Sequence, residues 1–231
     1  MTVYFIGAGI GGIDYLTVKG HRLITQAQVI LYDALVDNAI LKIAPEKCLK
    51  ISVGKRGGKV STPQTSINQL LVHYAQQYNI VIRLKSGDPA IFGRINPELA
   101  VLKTVNTSVE LVPGISSVLA APLLAGIPLT EKENSQNFTV ISGHNPDSID
   151  WATLSKVDTL IILMGARNLD KICQFLIKNG RSKNFPIAII KNAGRENQQV
   201  WYGTLNNIMA QTANIFLSPC VIVIGNICNN F

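Results

Sequence analysis

The sequence predicts an α/β protein built from two α/β lobes, with mostly parallel sheets and a ligand cleft between the lobes. Three observations predict this fold class. Short apolar runs alternate with helix-compatible segments, as in α/β folds. Continuous apolar runs such as Leu160–Leu163 are typical of strands covered on both faces. The 231 residues, of which 47% are hydrophobic and 15% charged, can bury a sizeable core and exclude a disordered chain.

The elements are predicted in order along the chain from short runs rich in apolar residues and from helix-start signals such as Thr17 and Ser116. The predicted strands are Val3–Ile6, Val29–Tyr32, Ile80–Leu84, Val109–Leu111, Thr139–Ser142, Thr159–Met164, Ile187–Ile190 and Val221–Ile224. The predicted helices are the segment after Thr17, Thr62–Tyr78, Asn96–Thr104, Ser116–Ala125, Asn168–Asn179 and Leu205–Ala213.

The boundary between the lobes is predicted near the turn Pro113-Gly114, and the polar stretch Glu131–Asn137 is the alternative limit of this boundary region. This gives an N-terminal lobe over residues 1–113 and a C-terminal lobe over residues 114–231. Because ligands often bind at lobe interfaces, the division predicts a small-molecule cleft.

The net charge favours an acidic partner. Lysine and arginine total 21 against 14 acidic residues, a formal charge of +7. This suits nucleic acid, an anionic lipid surface or a polyanionic small molecule. The basic residues are scattered, with no stripe interleaved with aromatics, so a nucleic-acid groove is disfavoured.

Cysteine usage and the N-terminus predict a cytoplasmic protein with no membrane segment. The four cysteines form no C-x-x-C pair, which predicts reduced thiols rather than a disulfide framework. No basic region precedes the first apolar run, which argues against a secretory signal. The longest apolar runs, near Leu160–Met164 and Cys220–Ile224, are too short to span a bilayer.

Glycines after the first predicted strand follow a pattern typical of dinucleotide-binding loops. Gly7–Gly12 matches G-x-G-x-x-G, and Asp33 ends a second strand about 20 residues later. In that fingerprint the last glycine lies in the first turn of a helix. Here Asp14 or Thr17 is a better N-cap than any of the glycines. A loop that lets a ligand or another backbone segment come close is the alternative explanation.

The segment Arg83–Arg94, R-L-K-S-G-D-P-A-I-F-G-R, is the most informative candidate for a binding site. It follows an apolar run and places Ser86, Gly87 and Asp88 in a turn. Such turns at the carboxyl ends of strands present small-molecule sites in α/β proteins. Gly-Asp-Pro is also a favourable tight-turn sequence, so the local pattern alone leaves both interpretations open.

Two further segments are candidates for ligand contact. Val53–Gly58 contains the adjacent cations Lys55 and Arg56, which suit carboxylates or phosphates, although such a pair usually lies in a solvated loop. Ser116 and Ser117 lie at a predicted helix start, where they either cap the helix or meet a ligand. The three histidines lack metal-ligand spacing, and no metal site is predicted.

Taken in order, these segments resemble the tetrapyrrole methylase family. The motifs that carry the resemblance are G-A-G-I-G-G-I-D-Y-L-T-V-K-G, V-I-L-Y-D-A-L-V, V-G-K-R-G-G-K-V-S-T-P-Q, R-L-K-S-G-D-P-A-I-F-G-R, V-P-G-I-S-S-V-L-A-A-P-L-L-A-G-I-P-L-T, I-I-L-M-G-A-R-N-L, I-K-N-A-G-R-E-N-Q-Q-V and S-P-C-V-I-V-I-G. They cover nearly the whole chain and are most similar to the members that methylate uroporphyrinogen III. In this family the glycine loop binds no dinucleotide.

The resemblance implies a homodimer that binds S-adenosyl-L-methionine between its lobes and releases S-adenosyl-L-homocysteine. Methyl groups would pass to C2 and C7 of uroporphyrinogen III, giving precorrin-2 for sirohaem and cobalamin synthesis. Asp33 and Lys55 match the family's proton acceptor and proton donor. The cofactor contacts implied position by position are Ile10, Ser86, Gly87, Asp88, Ile91, Ser116, Ser117, Met164 and Ala193.

The residue types suit this chemistry. A pyrrole carbon that gains a methyl group becomes cationic, so a carboxylate such as Asp33 can stabilise it or take a proton. The small residues Ser86 and Gly87 allow close approach of the cofactor, and Asp88 can accept hydrogen bonds from it. Lys55 and the positive net charge suit a substrate with many carboxylates.

The chain departs from the family pattern at some of these positions. The family has Gly-Pro-Gly-Asp at residues 9–12 and Gly-Gly-Asp at residues 86–88, and Ala193 interrupts its usual Asn-Gly. Three alternatives therefore stay open. One is methylation of a later precorrin or of another substrate such as ribosomal RNA, the second is a non-catalytic binding homologue, and the least favoured is a nicotinamide oxidoreductase.

Overall fold

The computed structural model describes residues 1–54 and 62–229 and divides the chain into two compact units, Met1–Ser116 and Ser117–Phe231. Each unit is built around one five-stranded sheet with helices packed on it. Of the eight strand pairs in the described residues, five are parallel. The predicted α/β class with mostly parallel pairing is confirmed.

The first unit contains a wholly parallel sheet. Its strands are β1 (Thr2–Gly7), β2 (Val29–Tyr32), β3 (Leu49–Ser52), β4 (Ile80–Lys85) and β5 (Ser108–Val112). Its helices are α1 (Val18–Ile24), α2 (Asn38–Lys42), α3 (Gln64–Ala75) and α4 (Ile95–Thr104). The strand order is β3-β2-β4-β1-β5, so the carboxyl ends of all five strands meet at one edge of the sheet.

Alternate strand residues of the first unit pack on helices at opposite faces of the sheet. Ile6 of β1 shares an apolar cluster with Ile24 of α1. Phe5 of the same strand shares another cluster with Leu71 of α3 and Leu102 of α4. The adjacent strands β1 and β4 therefore send their following helices, α1 and α4, to opposite faces. Such a topological switch point is where open α/β sheets bind ligands.

The second unit has four α-helices and five strands in the described residues. Its helices are α5 (Ser117–Leu124), α6 (Trp151–Leu154), α7 (Leu169–Lys178) and α8 (Ile208–Gln211). Its strands are β6 (Phe138–Ser142), β7 (Thr159–Leu163), β8 (Pro186–Lys191), β9 (Gln199–Thr204) and β10 (Cys220–Ile224), in the order β6-β7-β10-β8-β9.

The second sheet is mixed rather than parallel. Among the described strands of this unit, only β6 and β7 pair in parallel, while β10 pairs antiparallel with β7 and β8, and β8 pairs antiparallel with β9. The sequence patterns predicted no strand at Gln199–Thr204. Residues 192–198, which separate β8 from β9, are too few for the crossover that a parallel pair needs, so β9 returns as a hairpin.

Other short elements were not among the predicted strands and helices. Strand β3 has four mostly exposed residues and therefore no continuous apolar run. Helix α6 is a single turn fixed by a side-chain cap, in which Asp150 accepts from the backbone N–H of Thr153 at 3.2 Å. In the described part of the chain, no helix combines the length and apolar character needed to cross a membrane.

Candidate functional site

Four glycines bring the carboxyl ends of β1, β4 and β5 into backbone contact. The backbone N–H of Gly9 donates to the oxygen of Gly87 at 3.2 Å, and the N–H of Gly87 donates to the oxygen of Gly9 at 2.9 Å. A Cβ on Gly7 would lie 2.4 Å from the Cα of Gly114, and a Cβ on Gly114 would lie 2.2 Å from the oxygen of Gly87. A side chain at position 7 or 114 would therefore collide with backbone atoms. The contact among Gly7, Gly9, Gly87 and Gly114, called the glycine contact below, depends on glycine at positions 7 and 114.

The loop after β1 does not open a helix. Ile13–Tyr15 forms one 3-10 turn, and α1 begins only at Val18. The predicted cap is confirmed, because Oγ1 of Thr17 accepts from the backbone N–H of Gly20 at 3.1 Å. The segment after Gly12 therefore lacks the α-helix that a dinucleotide-binding loop begins at its last glycine. This geometry favours the close-approach explanation for these glycines.

Asp88 fixes the turn after β4. Its Oδ1 accepts from the backbone N–H of Ala90 at 2.8 Å, and its Oδ2 accepts from the N–H of Gly114 at 2.9 Å. The side chain thus ties the end of β4 to the end of β5, while Ser86, Gly87 and Asp88 all stay partly exposed. A carboxylate has about four lone-pair sites, so Asp88 keeps acceptor capacity for a ligand.

The loop beyond Asp88 holds unusual backbone conformations. Phe92 and Arg94 have φ angles of 51° and 50°, in the left-handed region. Gly93 lies between them, and a Cβ there would stand 2.2 Å from the oxygen of Pro89. The side chains of Ile91 and Phe92 are exposed. Strained backbone of this kind clusters at ligand sites, and the two exposed apolar side chains provide a shelf beside Asp88.

Asp33 lies at the same sheet edge, one strand away from the turn. Its backbone N–H donates to the oxygen of Leu84 at 3.1 Å. Its Oδ1 accepts from Nη2 of Arg83 at 2.6 Å, and its side chain is 28% exposed. The structure therefore brings the predicted proton acceptor to the edge that also carries Asp88. Lys55, the predicted donor, lies outside the described residues.

Behind Asp33 lies an ionic cluster of Asp33, Arg83, Lys85 and Glu98 that the sequence patterns did not predict. Glu98, on α4, is 1% exposed. Its carboxylate accepts from Nε and Nη2 of Arg83 at 3.0 and 3.2 Å and from Nζ of Lys85 at 3.0 Å. A signal was present, since Arg83 and Lys85 stand two apart in a strand predicted to be buried and so share one face. Buried cations need an acidic partner.

The electrostatics of the ionic cluster differ between its two cations. Burial disfavours the Arg83 cation, but the charges of Asp33 and Glu98 outweigh burial and raise the pKa of Arg83. Burial lowers the pKa of Lys85, and the neighbouring Arg83 cation lowers it further. The cluster therefore shifts the pKa values of its two cations in opposite directions.

In the second unit, Met164 and Ala193 follow strands whose carboxyl ends meet at one sheet edge. β7 and β8 both run antiparallel to β10, and Leu163 and Ile190 both pair with Val221. Met164 is half exposed and has a φ of 58°. With one strand between them, the two strand ends are about 10 Å apart.

The remaining predicted cofactor contacts are placed as follows. Ile10 is partly exposed and directly follows Gly9 of the glycine contact. Ser116 is the last residue of the first unit, and Ser117 is the first residue of α5 in the second unit. Both serines are partly exposed.

Thiol and metal chemistry find no support in the described residues. The four cysteines are free in the structure; Cys48, Cys173 and Cys228 are buried, and Cys220 is partly buried. Burial raises the pKa of Cys173, Cys220 and Cys228 to about 12 and also raises the pKa of Cys48. Within residues 1–54 and 62–229, no three His, Cys, Asp or Glu side chains are grouped to hold a metal ion.

We expect the native protein to resist thiol alkylation. At about pH 8, a thiol with a pKa near 12 is ionised in roughly one molecule in 10⁴, and the thiolate is the reacting form. Mass spectrometry after a short exposure to iodoacetamide should show no label at Cys173, Cys220 or Cys228, and full labelling in denaturant. Rapid labelling of Cys173 or Cys228 in the native protein would contradict their burial, and rapid labelling of the partly buried Cys220 would contradict its raised pKa.

The family model and the similar known proteins agree on one family for this chain. Residues 2–209 match the Tetrapyrrole (Corrin/Porphyrin) Methylases. The chain is 48% identical to the uroporphyrinogen-III C-methyltransferase of Synechococcus elongatus, over 97% of this chain and 93% of that protein. It is 43% identical to a siroheme synthase of Actinobacillus pleuropneumoniae, over 97% of this chain but 47% of that longer protein.

Solved structures show the same similarity. The uroporphyrin-III C-methyltransferase of Thermus thermophilus, solved with S-adenosylhomocysteine, superposes with a TM-score of 0.86 at 32% identity, over 100% of both chains. A cobalt precorrin-4 methyltransferase superposes with a TM-score of 0.88 at 24% identity, over 98% of this chain and 95% of that one. At that identity the second likeness concerns the fold alone.

Proposed function

The chain belongs to the tetrapyrrole (corrin/porphyrin) methylase family, and we propose on that premise that it methylates uroporphyrinogen III at C2 and C7 with S-adenosyl-L-methionine. The observation that carries this is the 48% identity, over nearly the full length of both proteins, to a uroporphyrinogen-III C-methyltransferase. The product is precorrin-2. The similarity to siroheme synthases supports sirohaem synthesis as its destination, with cobalamin synthesis as the other branch.

The carboxyl edge of the first sheet is the proposed cofactor site of the first unit. The face of Gly87 where a Cβ would stand is open, with no atom within 4 Å, so a ligand can approach the backbone there. Asp88 offers its remaining acceptor capacity to amino or hydroxyl groups of the cofactor. Ile10, Ser86, Ile91 and Ser116 complete the proposed contacts in this unit.

The second unit contributes the other proposed contacts. The exposed thioether of Met164, at the end of β7, suits an apolar part of the cofactor. Ala193, after β8, leaves room at the same sheet edge. Ser117 offers a hydroxyl at the start of α5.

The chain's own residues then serve the reaction as follows. S-adenosyl-L-methionine supplies an electrophilic methyl group on its sulfonium. Asp33 stabilises the positive charge that develops on the methylated pyrrole and accepts the proton that the macrocycle loses. Lys55 is the proposed proton donor, and the net charge of +7 favours a substrate that carries many carboxylates.

We further propose a cytoplasmic homodimer that binds neither nucleic acid nor membrane. Helix α5 supports the dimer, because Leu119 and Leu123 stand one turn apart and are exposed by 56% and 72%. Adjacent exposed leucines on one helix mark a surface that another protein surface covers.

We expect Asp88→Ala to weaken cofactor binding more than Lys55→Ala does. The first variant loses an acceptor at the proposed contact and the two hydrogen bonds that fix the turn, at roughly 1–3 kcal/mol for each unsatisfied partner. Titration calorimetry should show S-adenosyl-L-methionine binding weakened at least tenfold in Asp88→Ala and little changed in Lys55→Ala. Equal effects would count against the assigned site.

The proposed function is tested by methyl transfer. Purified protein is incubated with methyl-labelled S-adenosyl-L-methionine and uroporphyrinogen III, and label is expected in the tetrapyrrole. Cofactor binding without transfer would instead support another substrate or a non-catalytic homologue. Binding of a nicotinamide cofactor would support the oxidoreductase alternative.

A further inference from the structure

We propose that Arg83 and Glu98 are positioning residues that set the orientation of the Asp33 carboxylate for catalysis. This inference rests on the proposed function, in which Asp33 is the group that meets the methylated macrocycle. Neither Arg83 nor Glu98 needs to touch a ligand, because both are buried behind Asp33.

The guanidinium of Arg83 makes five hydrogen bonds, which hold it in one orientation. A guanidinium has five N–H donors in a fixed planar fork. Its five partners are two oxygens of Glu98, Oδ1 of Asp33, and the backbone oxygens of Leu31 and Leu84, the last two at 3.5 and 3.3 Å. One nitrogen, Nη2, joins both carboxylates, so the position of Glu98 determines the direction from which Asp33 is held.

Glu98 is itself fixed from a second side. Nζ of Lys85 donates to Oε1 of Glu98, the same oxygen that accepts from Nη2 of Arg83. Two cations and two carboxylates make the ionic cluster neutral, so it can stay buried without an unpaired charge. The cluster opens to solvent at Asp33, which is 28% exposed while its other three members are buried.

That asymmetry leaves the carboxylate that balances the second cation at the solvent-exposed end of the cluster. Without Asp33, the buried residues Arg83, Lys85 and Glu98 would carry an unbalanced positive charge, so Asp33 both completes the cluster and faces solvent. The shortest hydrogen bond of the ionic cluster, 2.6 Å, joins Nη2 of the buried Arg83 to Oδ1 of Asp33, which lies at the sheet edge that also carries Asp88. One nitrogen of the buried guanidinium, Nη2, thus donates a hydrogen bond to the proposed catalytic carboxylate.

The test is a double-mutant cycle on methyl-transfer rate. Glu98→Gln keeps the shape of the side chain but removes the charge that anchors Arg83. Small displacements of a reacting group cost about tenfold or more in rate. We therefore expect kcat to fall about tenfold, with the Kd for S-adenosyl-L-methionine and the KM for uroporphyrinogen III within about threefold of wild type.

The cycle pairs this change with Asp33→Asn. If Glu98 acts through Asp33, the double variant should be no slower than Asp33→Asn alone, because the group being positioned is already lost. Losses in log kcat that add would overturn the inference, since a structural role would lower the rate whether or not Asp33 is present.

A matched control and a substitute variant complete the design. Glu110→Gln makes the same change at an exposed glutamate of the first unit that pairs with Lys19, and it should leave kcat unchanged. If thermal unfolding shows that Glu98→Gln does not fold, Arg83→Lys takes its place, because lysine keeps the charge but cannot bridge both carboxylates. Absence of methyl transfer in the wild type would contradict the proposed function, whereas an active wild type with additive losses would contradict this inference alone.

Discussion

Gly114→Ala is expected to destabilise the first unit by about 3 kcal/mol or more and to abolish detectable cofactor binding. The added Cβ would lie 2.2 Å from the oxygen of Gly87 and 2.5 Å from the Cα of Gly7. Overpacking that flexible side chains can absorb costs about 1–3 kcal/mol. Here the obstructing atoms are backbone atoms at the end of β1 and in the turn after β4, so relief requires these segments to move apart.

That separation would also dismantle the proposed site. The N–H of Gly114 donates to Oδ2 of Asp88, so moving Gly114 releases the turn that carries the cofactor contacts. Denaturant unfolding measures the loss of stability, and titration calorimetry at a temperature where the variant is folded measures the loss of binding.

Gly12→Ala is the matched control for this substitution. Gly12 has a φ of −76°, and a Cβ there meets no atom within 4 Å. Alanine is therefore expected to change stability by less than about 1 kcal/mol. If Gly114→Ala behaved like Gly12→Ala in both measurements, the glycine contact would not be what holds the turn in place.

Asp33→Asn is expected to lower kcat by about 10²- to 10⁴-fold, the range for loss of a general base, while S-adenosyl-L-methionine binds as in wild type. Asparagine keeps the size of the side chain, and its oxygen can still accept from Nη2 of Arg83. What it lacks is the negative charge and the basicity that the proposed proton transfer requires. Single-turnover methyl transfer measures the rate, and calorimetry measures cofactor affinity.

The outcome separates three roles for Asp33. Slow transfer with normal cofactor binding is the result that proton acceptance predicts. Wild-type rates would remove Asp33 from the chemistry, and joint loss of binding and folding would make it a structural group. Asp147→Asn, which alters an exposed aspartate paired with Lys171 in the second unit, is the control and should have no effect.

The sequence predicted β1, β2 and β4 of the first sheet well because these central strands are mostly buried and contain short apolar runs. The turn at Ser86–Asp88 was also found, since its residue types favour a turn wherever they occur. The glycine contact was only half predicted. Close approach of backbone was expected near Gly9, but its partners Gly87 and Gly114 are distant in the chain, and a single sequence does not reveal which loops meet.

The ionic cluster was missed for the same reason. Two cations in a strand predicted to be buried, Arg83 and Lys85, indicated that an acidic partner should lie nearby. That partner, Glu98, is 15 and 13 residues away from them along the chain, on a helix whose packing face is set by tertiary contacts. In the second sheet, β9 was missed because its apolar run is only Val200-Trp201-Tyr202, and the antiparallel direction of β10 was missed because an apolar run shows a strand but not its direction. The pairing of β9 is fixed by the hairpin with β8 rather than by its own composition.

The most direct test of the central claim is to locate the transferred methyl groups. Wild-type protein would be given S-adenosyl-L-methionine with an isotope-labelled methyl group together with uroporphyrinogen III, and the product analysed by mass spectrometry and NMR. We predict two labelled methyl groups, bonded to carbon at C2 and C7 of the macrocycle. A labelled tetrapyrrole methylated elsewhere, or no labelled tetrapyrrole from a protein that binds the cofactor, would contradict the proposed function.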